Sequence, residues 1–111
     1  MKPSTLGQVL SELRRMTIER GYFDWNQTIF PVPFSTREGI LLARGTFVGP
    51  TPFAPETRAP EDLSRFYYFV FQNEFYQKEH LVVVKHGQAR IAEYRVTENG
   101  LEPTFGEIPA V

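Results

Sequence analysis

The chain of 111 residues contains no cysteine. Disulfide bridges, thiolate metal sites and cysteine nucleophiles are therefore excluded. Histidine is nearly as scarce, with only His80 and His86, six positions apart. No HxH or HExxH spacing occurs, whereas a zinc site needs three or four ligands that converge on the metal. We therefore expect no bound metal and no cofactor.

The chain also lacks an excess of charge of either sign. Twelve Lys and Arg residues stand against thirteen Asp and Glu residues, which gives a net charge of −1, and the basic residues are spread along the chain. Proteins that bind duplex nucleic acid through its phosphates usually show a basic excess or a basic stripe. We therefore expect no nucleic-acid partner.

Long apolar runs are missing as well. The first residues, MKPSTLGQVLSELRRM, carry a polar residue at every third or fourth position, which is typical neither of a signal peptide nor of a membrane span. We expect a cytoplasmic protein with no membrane partner. The length and the share of hydrophobic residues (41%) and charged residues (23%) are those of a soluble globular domain, so residues 1–111 are predicted to form a single domain.

Catalytic motifs are absent from the sequence. There is no GxSxG elbow, no glycine-rich phosphate loop and no dinucleotide fingerprint. His80 could form an acid–base pair with Glu74 or Glu93, but more simply it begins a strand while His86 occupies a turn. We therefore predict a protein that is not an enzyme and has no catalytic residues.

The N-terminal segment carries the clearest pattern of secondary structure. Its apolar stripe recurs at three- and four-residue steps and consists of Leu6, Val9, Leu10, Leu13, Met16 and Thr17. Thr5 and Gln8 match a capping box, in which each side chain satisfies a free backbone N–H. Gly21 is suited to end the helix in a left-handed conformation. The sequence predicts a helix over residues 5–20.

Strand patterns follow the helix. Residues 22–34 are aromatic and broken by Pro31 and Pro33, which indicates an edge strand or an extended arm. After a turn, residues 40–48 read as a strand, and the proline-rich residues 49–60 as a loop. Residues 81–96 form two β-rich runs around a turn at His86-Gly87. The tail 101–111 is expected to be irregular, with three residues available to pack on the body: Leu101, Phe105 and Ile108.

The stretch RFYYFVFQNEF, residues 65–75, has six aromatic residues in eleven positions. Helical spacing over 60–78 is one interpretation, but Phe, Tyr and Val favour strands, and we favour a strand with two apolar faces. Four positions resemble the strand signature of the RNA-recognition motif: Arg65, Tyr67, Phe69 and Val70. The two small residues of that signature are replaced here by Phe66 and Tyr68, and the element order differs, so RNA binding is not predicted.

The predicted fold is α+β, with one N-terminal helix packed on a curved antiparallel sheet of four to five strands. This layout resembles that of the cystatin and NTF2-like folds. The cystatin inhibitory pattern Gln-x-Val-x-Gly would fall at residues 41–45, where only Gly45 matches, so no inhibitor residues follow from the resemblance. A helical 60–78 would instead give a duplicated αββαββ chain. The predicted core comprises Leu6, Leu10, Leu13, Leu42, Val70, Val83 and Ile91.

One helix covers only one face of such a sheet, whereas the central strand is apolar on both. Exposed apolar faces mark interaction sites. We therefore predict a non-catalytic protein-binding domain whose partner is another protein or itself, as a homodimer, acting as an adaptor, an inhibitor or a self-associating module. The predicted binding residues are Trp25, Phe30, Phe53, Arg58, Tyr67, Phe69 and Phe71.

The alternative function is a small apolar-ligand-binding protein. Its pocket would lie between helix and sheet, with Arg44 or Arg95 fixing an anionic group. The predicted aromatic lining of that pocket is Trp25, Phe47, Tyr67, Phe69 and Tyr94.

Overall fold

The structure, a computed structural model, describes residues 2–50, 63–72 and 79–109. Its elements in these ranges are α1 (Leu6–Glu19), β1 (Phe23–Thr36), β2 (Gly39–Pro50), β3 (Leu63–Gln72), β4 (His80–His86), β5 (Ala89–Thr97) and β6 (Gly100–Gly106). The strands form one antiparallel sheet in which each strand pairs with its neighbours in sequence, from β1 to β6. The α+β class, with one N-terminal helix packed on an antiparallel sheet, is confirmed.

The expected number of four to five strands is wrong, because the described residues already form a sheet of six. The additional strand, β6, lies in the tail that was expected to be irregular. It begins at Gly100, whose φ of 104° suits the tight turn after Thr97, and it pairs with β5. Pro103 is tolerated because β6 is an edge strand, where one missing N–H costs no ladder bond. Phe105, expected to pack on the body, is 52% exposed.

Helix α1 is confirmed, together with its predicted caps. The N–H of Gln8 donates to Oγ1 of Thr5 at 3.2 Å, and the N–H of Thr5 donates to Oε1 of Gln8 at 3.1 Å, which completes the capping box. Gly21 follows the last turn with a φ of 97°. The helix therefore buries the predicted apolar stripe through Val9, Leu10, Leu13 and Thr17.

The aromatic stretch is strand β3, as favoured, and the duplicated αββαββ alternative is wrong. Along β3 the buried positions alternate with more exposed ones, as expected for a strand whose side chains point to opposite faces. We call the sheet face that packs against α1 the inner face, and the opposite one the outer face. Four residues of β3 point to the inner face: Ser64, Phe66, Tyr68 and Val70.

The inner face carries the main core, and aromatic rings dominate it. Phe47 lies 5.6 Å from Phe66, ring to ring, and Tyr22 meets both rings edge-on. Of the predicted core, four residues are buried: Leu10, Leu13, Val70 and Val83. The remaining three are only partly buried: Leu6, Leu42 and Ile91. Val83 belongs to the outer face, since its cross-strand partners are Phe69 and Glu93.

The last described residues close the inner face from the side. Ile108 is fully buried, and its N–H donates to the hydroxyl of Tyr94 at 2.8 Å. The guanidinium of Arg20, at the end of α1, donates to the carbonyl oxygen of Ile108. The hydroxyl of Tyr22 donates to the carbonyl oxygen of Pro109 at 2.7 Å. The tail is thus fixed between the end of the helix and the sheet.

The tip of the β1–β2 hairpin bends over the outer face. Its two strands shift register between Ile29 and Phe34, and β2 shifts against β3 next to Leu41. Such bulges increase the local bend and twist of a strand. As a result, Glu38 at the tip accepts a hydrogen bond of 2.5 Å from Nη2 of Arg90 at the start of β5. Part of the outer face is therefore covered by the chain itself.

Candidate functional site

Four of the seven predicted binding residues lie together on the outer face: Phe30, Tyr67, Phe69 and Phe71. Trp25 lies apart from them, because its ring stacks on Phe47 at 5.4 Å and its Nε1 donates to Oγ1 of Thr17 at 2.8 Å. It belongs to the inner core. Phe53 and Arg58 lie outside the described residues.

The sheet positions the four outer-face residues. Tyr67, Phe69 and Phe71 alternate along β3, and the exposed fraction falls from 42% at Tyr67 to 5% at Phe71. Phe30 comes from β1 and meets Phe34 edge-on at 5.0 Å. The covering hairpin tip explains the gradient, because it lies over the Phe71 end of β3 and leaves the Tyr67 end open.

Two adjoining depressions flank Phe69, and together we call them the aromatic groove. The first has a volume of about 300 Å³ and is lined by Asn26, Thr28, Arg44, Gly45, Thr46, Tyr67 and Phe69. The second, of about 190 Å³, is lined by Thr36, Glu38, Leu41, Phe69, Phe71 and Lys85. The groove thus has an aromatic floor and a rim of hydroxyl, amide and charged groups.

Three cations border the aromatic groove. The guanidinium carbon of Arg44 lies 5.7 Å from the ring centre of Phe30, and Nζ of Lys85 lies 5.5 Å from that of Phe69. Nη1 of Arg65 lies 3.4 Å from Oγ1 of Thr46. Within the described ranges, none of the three cations forms an ion pair.

The carboxylates at the rim do not neutralise these cations. Both Glu38 and Glu93 bond to Arg90, at 2.5 Å and 3.1 Å. The sequence analysis named Arg44 only as an anion-binding residue of the helix–sheet pocket and Arg65 only as a position of the RNA-recognition signature. It did not name Lys85. Lys85 joins the site because it pairs with Tyr67 across β3 and β4, and that register cannot be read from the sequence.

The structure separates the residues predicted to line a pocket between helix and sheet. Phe47 and Tyr94 are buried on the inner face, where neighbouring rings and Ile108 pack against them. Tyr67 and Phe69 point to the outer face. Of the two candidate anion-binding arginines, Arg44 borders the aromatic groove and Arg95 bonds to Glu79 at 2.8 Å.

The buried tyrosines are held in the neutral form. Burial raises the pKa of Tyr22 and the pKa of Tyr68, each to about 12. Burial also raises the pKa of Tyr94, against the opposing effect of its hydrogen bond from Ile108. Because their pKa values are raised, these hydroxyls stay protonated and act as structural hydrogen-bonding groups. Each of them makes a hydrogen bond to the backbone.

Among the described residues, His80 does not form the predicted acid–base pair with Glu93. Burial lowers the pKa of His80, which favours its neutral form. The ring of His86 packs against Phe66 at 5.0 Å. Glu93, one of the predicted acid–base partners of His80, bonds to Arg90 and Thr104 instead. Among the residues that the structure describes, no group of three His, Asp or Glu side chains could hold a metal ion.

No family model, curated protein sequence or solved structure matches the chain. In the part of the chain that the structure describes, no helix is long and apolar enough to cross a membrane.

Proposed function

We propose that the protein is a non-catalytic binding domain that contacts a partner protein, or a second copy of itself, through the aromatic groove. The observation that carries the proposal is the joint presence, on one open part of the outer face, of aromatic rings and of cations that form no ion pair with any described residue. Tyrosine and arginine are the residues most enriched at the energetic centres of protein interfaces.

The apolar surface around the groove supports this function. Several large apolar side chains on and near β1 and β3 are about half exposed or more: Phe23, Ile29, Val32, Phe34 and Leu63. Single exposed apolar residues are normal on a soluble domain, but contiguous ones mark contact surfaces. Leu63 lies on the same side of β3 as Tyr67, and Phe34 contacts Phe30 of the outer face, so a partner on the groove can cover both side chains.

The alternative function remains a small apolar-ligand-binding protein. The packing of Phe47, Tyr94 and Ile108 on the inner face argues against a ligand between helix and sheet. The depression of about 300 Å³ beside Arg44 is at the lower end of the size range of small-molecule sites. Native mass spectrometry of the purified protein tests this alternative, because a bound small molecule adds a discrete mass.

Site-specific photo-crosslinking tests the proposed function. Benzoylphenylalanine is placed at position 67, in the groove, and in a matched control at position 18, where Ile18 is 52% exposed on α1. We expect a discrete crosslinked protein, or a crosslinked dimer, from position 67 alone. Equal crosslinking from both positions, or none from position 67, would contradict the proposal.

Sedimentation velocity distinguishes the two kinds of partner. A homodimer through the groove has twice the monomer mass, and Tyr67→Ala is expected to dissociate it. A monomer that still crosslinks from position 67 to another chain identifies a separate partner protein. Both outcomes agree with a binding domain, whereas a monomer without any crosslink does not.

A further inference from the structure

The three cations that border the aromatic groove are arranged around one residue, Tyr67. Its lateral neighbours are Thr46 on β2 and Lys85 on β4, and its neighbours along β3 are Arg65 and Phe69. Adjacent strands lie about 5 Å apart and alternate residues of a strand about 7 Å apart, so all these side chains lie within reach of one bound segment. An exposed tyrosine thus stands at the centre of a positively charged aromatic surface.

Within the described ranges, the carboxylates near the groove are held by an arginine outside it. Glu38 lines the groove and Glu93 lies on β5, and both form ion pairs with Arg90. The cations of the groove therefore meet no carboxylate among the described residues. Negative charge supplied by a partner would complement them.

We infer that the aromatic groove recognises an acidic, apolar segment of another protein. This inference rests on the proposed binding function and specifies the chemistry of its partner. An apolar side chain of the segment covers Tyr67 and Phe69, while its carboxylates bind Arg44 on one side and Lys85 on the other. Complementary charges of this kind accelerate association and fix the register of the bound segment.

The register of the sheet gives the spacing of the two carboxylates. Arg44 lies opposite Phe69 on one side of β3, and Lys85 lies opposite Tyr67 on the other. Their Cα atoms are therefore about 12 Å apart, given the spacing of strands and residues in a sheet. Residues four positions apart in an extended segment are separated by about 13 Å. The expected pattern is acidic–x–apolar–x–acidic.

Selection from a phage-displayed library of random nonapeptides tests the pattern without knowledge of the natural partner. The wild-type protein is compared with Arg44→Glu/Lys85→Glu, which reverses both flanking charges. The matched control is Lys2→Glu/Arg14→Glu, which changes the net charge equally, at exposed residues before and on α1. Circular dichroism and urea unfolding verify that all three proteins fold.

We expect the wild type and the control to select the acidic–x–apolar–x–acidic pattern. The groove variant should select basic residues in place of the acidic ones, and it should bind the wild-type peptides about tenfold or more weakly. Peptides without acidic enrichment, no selected peptides, or equal losses in both variants would overturn the inference. The proposed function is tested separately, because crosslinking from position 67 does not depend on the charge of the partner.

Two further measurements test other occupants of the groove. Sedimentation velocity would reveal self-association, and its loss in Arg44→Glu/Lys85→Glu alone would identify a second copy as the occupant. Oligouridylate titrated at low salt would reveal binding of single-stranded RNA, which also combines aromatic stacking with cations. Either result would identify a different occupant and reject the acidic protein segment. A monomer that does not bind oligouridylate but selects acidic peptides supports the inference.

Discussion

Replacement of Tyr68 by Phe removes one hydroxyl from the middle of the sheet and preserves the rest of the side chain. Tyr68 is fully buried, and its hydroxyl donates to the carbonyl oxygen of Asn26 at 2.9 Å. Its ring lies 5.0 Å from that of Trp25 and 6.3 Å from that of Phe47. Phe retains these ring contacts, so the variant isolates the hydrogen bond and the ionisable group.

At neutral pH the variant should lose about 1–2 kcal/mol of unfolding free energy, because a buried carbonyl loses a hydrogen-bond donor. At alkaline pH a second effect opposes the first. Burial raises the pKa of Tyr68 to about 12 from 10.0, so the folded protein keeps the phenolic proton at a pH where the unfolded chain releases it. The contribution of the Tyr68 hydroxyl to the unfolding free energy is therefore fully present below pH 10, and it is lost as the pH rises from 10 to 12.

The wild type should therefore lose stability more steeply than Tyr68→Phe above pH 10. One titrating group changes the unfolding free energy by about 1.4 kcal/mol per pH unit, or up to about 3 kcal/mol over the whole interval. The advantage of the wild type at neutral pH should accordingly disappear at about pH 11–12.

Urea unfolding at a series of pH values, followed by the fluorescence of Trp25, measures both effects. The matched control is Tyr67→Phe, one position away on the outer face, where the side chain is 42% exposed. It should change the unfolding free energy by less than about 0.5 kcal/mol at neutral pH. Equal losses in both variants at neutral pH, or an unchanged slope in Tyr68→Phe, would refute the reasoning.

Three further substitutions test the packing, each by urea unfolding. Leu13→Ala should lower the unfolding free energy by about 2–5 kcal/mol, because Leu13 is fully buried. Leu63→Ala, the control, should lower it little, because Leu63 is 57% exposed. Equal losses in the two variants would contradict the assignment of the core. Gly45→Ala should cost about 1–3 kcal/mol, because an added Cβ would lie 2.1 Å from the carbonyl oxygen of Asn26, and a neutral result would contradict this close approach. Gly7→Ala should instead stabilise the protein by about 0.4–1 kcal/mol, because alanine restricts the unfolded chain and its Cβ would meet no atom within 4 Å in the first turn of α1; a loss would contradict the helix there.

Local patterns in the sequence predicted the elements that depend on local interactions. The capping box of Thr5 and Gln8 and the apolar stripe of α1 act within a few residues, so the helix could be located nearly to its ends. Strand β6 was missed for the opposite reason. Its prolyl residue, Pro103, reads as a break in the sequence, and only the edge position beside β5 makes it acceptable.

The candidate site was predictable only in part. Alternation along β3 placed Tyr67, Phe69 and Phe71 on one face, since that period is a property of any strand. Lys85 depends on the pairing of β3 with β4, which no local pattern reveals. Trp25 lies five positions before Phe30 in β1, so the same alternation places the two rings on opposite faces of the sheet.

The order of the strands has a consequence for how the chain folds. Each strand pairs only with its neighbours in sequence, so the sheet can grow by closing short loops, which costs little chain entropy. The contact of Arg20 with Ile108 joins residues 88 positions apart and requires almost the whole chain to be in place. We expect the helix and the tail to dock last during folding and to detach first during unfolding. A chain in that intermediate state would still possess its sheet but would expose the rings of Phe47 and Phe66 to solvent.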